Sequence, residues 1–192
     1  MEIKVGSFVV YKGAGPVYEI LSRPLKLFEP KWDRWGWHMA FVCGQDAGGE
    51  WLVCEAVKGG VRVVPFAQAL GFAGGYRVYD WFQLPLNERQ VDKWVREHLG
   101  ARYDVLTYFW TALQYFLRRV INHRIPRLLD GVYSCWELCF EFAEDFQRPF
   151  WLNYDAKYDM PVVTDFLRAM GEIPERPRGM KELSVMQERN RP

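Results

Sequence analysis

The chain has little of what most readily binds metals or charged partners. Its 192 residues include three histidines and four cysteines. Cys43, Cys54, Cys135 and Cys139 form no C-x-x-C pair, so neither a zinc ligand set nor a disulfide framework is expected, and no cofactor is implied. An excess of one charge sign is also missing. Lys+Arg 25 against Asp+Glu 24 leave a formal charge of +1, which removes any whole-chain field for nucleic acid, anionic lipid or polyacidic substrates. The most apolar stretch, Val105 to Leu117, is interrupted by Thr107, Thr111 and Gln114 and is too short to span a bilayer. Met1 to Gly6 hold no basic segment followed by an apolar one, so no secretory signal is expected and a cytoplasmic location is. No internal repeat occurs.

What the chain does have is apolar and aromatic mass: 49% hydrophobic residues, with 9 Trp, 10 Tyr and 13 Phe, enough for one domain with a heavy aromatic core or an aromatic-lined cleft. The first third reads as strands. Ile3 to Tyr11, Trp35 to Cys43, Glu50 to Val57, Val61 to Phe66 and Tyr76 to Leu84 are each bounded by Gly or Pro signals, and Gly44 to Gly49 reads as a hairpin connection. From Asn87, a plausible N-cap, the period becomes helical: Val91, Trp94, Val95, His98 and Leu99 share a face up to Gly100. A second helix, Asp104 to Arg118, is apolar around most of its circumference. A third, Tyr133 to Phe146, places Cys135, Leu138, Cys139, Phe142 and Phe146 inward and Glu137, Glu141, Glu144 and Asp145 outward. A short helix begins near Pro161. Strands followed by helices predict an α+β domain over residues 1–170, an antiparallel sheet packed against helices, with a charged, Pro-rich tail over 171–192.

Chemistry would centre on Cys135. A cysteine in the first turn of a helix meets unsatisfied backbone N–H groups and the positive end of the helix dipole, which favour thiolate. Such a nucleophile needs an imidazole, and the imidazole needs an acceptor on its other nitrogen. His38 is the one histidine on a predicted strand. If Cys43 pairs with Glu50 across the hairpin, Met39 pairs with Cys54 and His38 with Glu55, and these two share a face with Ala40, Val42, Trp51 and Val53 that would receive the Cys135 helix. Cys43 and Cys54 then pack on the opposite face. A one-residue slip would separate His38 from Glu55. Taken singly, Cys135 and His38 are more simply read as core and Glu55 as the polar end of an edge strand.

Other features have plainer readings. Arg118, Arg119, Arg124 and Arg127 complement a helix C-terminus rather than bind phosphate, so no nucleic-acid partner is expected. Tyr108, Phe109, Trp110, Tyr115 and Phe116 read as core. Trp32, Trp35 and Trp37 lie just before His38, where a cleft wall would be.

The order and spacing of these segments resemble a known family. "WHMAFV" is similar to the histidine strand, "VCEAVKGGVRVVPF" to the following hairpin, and "YSCWELCFEFAEDF" to the nucleophile helix of circularly permuted NlpC-type papain-like amidases and peptidases, the YiiX-like group, with lecithin retinol acyltransferase a more distant relative. "VGSFVVY" and "LGARYD" resemble that family's first strand and its link to the long helix, so the resemblance spans roughly residues 5 to 170. His38 precedes Cys135, as in the permuted order. Three departures occur: Trp136 stands where the family has serine after the cysteine, Ser134 occupies the preceding position, and Ala40 replaces the glycine of the histidine strand.

The resemblance implies a permuted papain-like fold, a sheet or partial barrel against helices. It also implies a cysteine hydrolase in which Cys135 is the nucleophile, His38 the base and Glu55 the residue that orients it, with the Cys135 backbone N–H as one oxyanion donor. Trp136, Trp37 and Tyr133, flanking these positions, are the candidate substrate-binding residues. The implied substrate is an amide, of cell-wall peptide type. Two alternatives stay open. One is hydrolysis or transfer of an acyl ester or lipid acyl chain, with peripheral membrane contact through the apolar Asp104 to Arg118 helix; the other is a non-catalytic binding or structural module, motivated by Trp136.

Overall fold

The computed structural model describes residues 3–14, 35–69, 73–82, 86–103, 132–146 and 170, with the side chains of 35–37 and 132 excepted. In chain order these hold β1 (Phe8–Lys12), β2 (Trp35–Gln45), β3 (Trp51–Val57), β4 (Gly60–Pro65), α1 (Phe66–Ala69), β5 (Tyr76–Tyr79), α2 (Glu88–His98), β6 (Arg102–Tyr103), β7 (Val132–Tyr133) and α3 (Cys135–Asp145). The architecture is α+β. A five-stranded open antiparallel sheet runs in the order β4-β3-β2-β1-β5, and β6 and β7 form a separate parallel pair. The expected helices at 104–118 and near Pro161, the arginine cluster, the Tyr108 to Phe116 aromatics, Trp32 and the 171–192 tail lie outside the described residues. Among the described residues no helix is long and apolar enough to cross a membrane.

Several boundaries move from their sequence expectation for local reasons. The first strand begins at Phe8, not Ile3, because the chain turns at Val5-Gly6 with Gly6 at φ +88°. The last strand stops at Tyr79 rather than continuing toward Leu84. Beyond it, Lys4 binds Asp80 at 2.7 Å and the Phe82 carbonyl at 3.1 Å, tying the segment to the turn before β1. The third helix starts at Cys135, since Tyr133 belongs to β7 and Ser134 is the N-cap.

The β2–β3 register differs from the expected one by two residues. Phe41, rather than Met39, pairs with Cys54, and Val42 pairs with Val53. The hairpin closes at Asp46 and Glu50 (N–H to carbonyl, 2.9 Å), with the Asp46 carboxylate accepting from the Gly48 and Glu50 amides, and a bulge at Cys43 absorbs one residue. A displacement of two preserves the alternation, so His38 and Glu55 remain on one face as near neighbours. The next hairpin turns tightly through Lys58-Gly59, with Gly59 and Gly60 at φ +121° and +114°. It sets Glu55 opposite Arg62.

The face assigned to the Cys135 helix is corrected. Helix α3 packs on the Met39, Phe41 and Cys54 face of β2 and β3, not on Ala40, Val42 and Val53, and Cys54 is therefore under the helix rather than opposite it. The large side chains decide this. Phe142 stacks on Phe41 at 3.8 Å between ring centroids and meets Phe8, Phe82 and Trp94 edge-on, burying an aromatic cluster that the smaller residues of the other face could not supply. Trp136, Phe140 and Ala143 are buried too, so α3 is enclosed around most of its circumference. Its one-sided pattern fails at Glu137, which is buried in the capping box instead of facing outward.

Candidate active site

His38 sits in β2 just after an irregularity in the β1–β2 ladder: Tyr11 pairs with His38 but Lys12 with Trp35. Such bulges raise local twist and redirect neighbouring side chains. His38 links the two buried clusters, since Tyr11 opposite it belongs to one and Cys135, near enough to raise its pKa, belongs to the other. One ring nitrogen is committed: Nε2 lies 2.7 Å from Glu55 Oε2. The imidazole thus stands between a sulfur and a carboxylate.

Cys135 reaches that position as the first residue of α3. Ser134 Oγ accepts from the Glu137 amide at 3.3 Å, and the Glu137 carboxylate accepts from the Ser134 amide at 2.8 Å, a reciprocal capping box that fixes where the helix begins. The Cys135 side chain is fully buried.

Glu55 is itself held. Its other oxygen, Oε1, accepts from Arg62 Nε at 2.9 Å and Nη2 at 2.7 Å. Its side chain is 3% exposed, and that burial alone would raise its pKa. The hydrogen bonds and charges of His38 and Arg62 outweigh it and hold the carboxyl below its ordinary value. For His38, burial pulls the pKa down, but Cys135 and Glu55 on either side raise it to about 10. The favoured state of the ring beside them is imidazolium.

The other cysteines have no such neighbours. Burial pushes Cys43 up to about 12 and raises Cys54 and Cys139 as well, so all three are held as thiols packed in the core. Among the described residues no group of His, Cys, Asp and Glu is arranged to hold a metal ion.

The three residues expected to act together are therefore brought together, through a register and a sheet face different from those expected. The flanking candidates are placed differently. Tyr133 donates its hydroxyl to Glu141 at 3.1 Å and packs against His98, which is stacked on Trp94; it belongs to the α2–α3 contact. Trp136 is buried in the core cluster that includes the inner face of α3. The Trp37 side chain lies outside the described set. A surface hollow lined by Gln90, Lys93, Trp94, Asp145 and Phe146 involves the far end of α3 from Cys135.

Two residues of the site were not anticipated from sequence. Arg62 was legible: counting outward from the Lys58-Gly59 turn sets Val57 against Gly60 and Glu55 against Arg62. Tyr11 had no local signal. Its ring centroid lies 5.3 Å from that of His38, and its hydroxyl is buried with no hydrogen-bond partner. No protein-family model matches the chain, and no curated protein sequence is significantly similar to it.

Proposed function

We propose that the protein is a cysteine hydrolase of the permuted papain-like class that its motifs resemble, cleaving an amide bond in a peptide of cell-wall type. The observation that carries this reading is the His38 imidazole, 2.7 Å from a buried carboxylate and near enough to Cys135 for the sulfur to raise its pKa. In the first half-reaction the Cys135 thiolate forms a C–S bond to the substrate carbonyl carbon. The oxyanion that develops is stabilised by backbone N–H groups at the start of α3, and His38 protonates the departing amine as the C–N bond breaks. Water then gives a proton to His38 and forms a C–O bond to the thioester carbon, the C–S bond breaks, and the thiolate and imidazolium are restored. Glu55 holds the ring orientation and stabilises its charged form throughout.

The test is alkylation of Cys135 as a function of pH in the wild type and in His38→Ala. Wild-type alkylation at pH 6 faster than that of the variant by about tenfold or more, with hydrolysis of a peptide panel lost in Cys135→Ser by about a thousandfold or more, is the expected result. Hydrolysis of acyl esters with peptides left intact would move the substrate to the acyl class. A second reading rests on the full burial of Cys135: a binding or structural module in which the thiol is never reached. A thiol that reacts slowly at every pH and is indifferent to His38 would establish that reading instead.

A further inference from the structure

We infer that Arg62 is a positioning residue of this site, fastening one oxygen of Glu55 so that the other is presented to the His38 ring. The inference rests on the catalytic reading above and extends it by one residue. A carboxylate on a strand can rotate about its terminal bond, and a single contact to His38 would leave that rotation open. Arg62 closes it. Its Nε and Nη2 both reach Oε1, at 2.9 and 2.7 Å, while Oε2 keeps the 2.7 Å contact to Nε2 of His38. The two oxygens are divided between two cations. The planar guanidinium fixes the plane of the carboxylate as a lysine ammonium could not.

The fold supplies this contact at close range. Glu55 and Arg62 are directly opposite in the β3–β4 ladder, joined by the Lys58-Gly59 turn, and Gly60 cannot accept a side chain: a Cβ there would lie 2.7 Å from the Ala101 carbonyl oxygen. The register that aligns arginine with glutamate is thereby pinned. Exposed ion pairs of this kind usually matter little because water competes for both partners. Here the partners differ: the Arg62 side chain is 43% exposed but that of Glu55 only 3%. Water reaches the arginine more readily than the carboxylate it steadies, so the arginine is the member that small solutes can replace.

The experiment is an NMR titration of ¹⁵N-labelled histidine, tractable with three histidines in the chain, in the wild type, Arg62→Ala, Arg62→Lys, Glu55→Gln and His38→Ala, the last assigning the signal. Unfolding midpoints are recorded alongside. The expected result is a His38 midpoint lowered by about one pH unit or more in Arg62→Ala, lowered by less in Arg62→Lys, and returned toward the wild-type value when free guanidinium is added to the alanine variant. A merely structural arginine would change the unfolding midpoint and leave the His38 titration where it was or, through loss of a nearby positive charge, raise it. If Glu55→Gln lowers the midpoint while Arg62→Ala does not, the role of Arg62 is overturned and the Cys135–His38–Glu55 reading stands. If the wild-type midpoint is that of an ordinary histidine and Glu55→Gln leaves it unmoved, that reading fails and Arg62 with it. Should Arg62→Ala not fold, Arg62→Lys decides: a midpoint below the wild type supports the two-pronged contact, and an unchanged one overturns it.

Discussion

At the scale of single residues, the centre of the molecule is a line of four side chains, Cys135, His38, Glu55 and Arg62, each satisfied by the next. Tyr11 lies against that line without joining it. Its hydroxyl is buried beside the imidazole, lacks a hydrogen-bond partner, and has its pKa raised by burial, then by the nearby Glu55 and Cys139. A buried hydroxyl without a partner carries a desolvation penalty, so Tyr11→Phe removes a cost without removing a bond. The expected outcome is a gain of about 1 kcal/mol in the urea-derived stability. A loss of similar size would show that the hydroxyl is satisfied in solution, by water or by substrate-side groups.

At the scale of elements, the start of α3 is the critical terminus, because the nucleophile candidate is its first residue. Ser134→Ala removes the hydroxyl that accepts from the Glu137 amide, while the backbone N–H of residue 134 still donates to the buried Glu137 carboxylate, so one half of the capping box is lost. The expected cost is about 1 kcal/mol in unfolding free energy, together with slower Cys135 alkylation at neutral pH, since the first turn frays and Cys135 with it. An alkylation rate that is unchanged despite the stability loss would separate the cap from the thiol. The same elements show what alternation can and cannot specify. The β2–β3 pairing was displaced by two residues from its expected register, yet His38 and Glu55 stayed together because side-chain period in a strand is two. The face under α3 was not recoverable in this way. Met39, Phe41 and Cys54 on one side and Ala40, Val42 and Val53 on the other are all fully buried, so alternation holds no polar side to orient the sheet.

At the scale of the whole molecule, His38 and Glu55 set how stability depends on pH up to about 8, above which the raised buried thiols and Tyr11 add to the alkaline decline. The His38 pKa is raised from 6.5 unfolded to about 10 folded, so its contribution is complete below 6.5 and is lost as pH rises toward 10. Glu55 is lowered from 4.5, so its contribution is complete above 4.5 and is lost as pH falls through the folded value. Urea midpoints measured from pH 4 to 10 are expected to be highest between about 4.5 and 6.5 and to decline toward pH 10. His38→Ala should flatten that decline up to about pH 8. A wild-type profile that is level from pH 6 to 10 would mean that the ring is not held as imidazolium.

The sequence by itself determined the α+β order of elements, the Asn87 cap and the helical stop at Gly100, and the positions of His38, Glu55 and Cys135 on their elements. Those depend on local propensity and on periods of two and 3.6 residues, which are written in consecutive side chains. Tertiary structure decided which face α3 covers, that Cys135 lies near a histidine far back in the chain, and that Glu137 turns inward. The physical reason is that both sheet faces are apolar. The choice between them fell to the fit of Phe142 against Phe41, Phe8 and Trp94, a contact among side chains distant in sequence that no local pattern encodes.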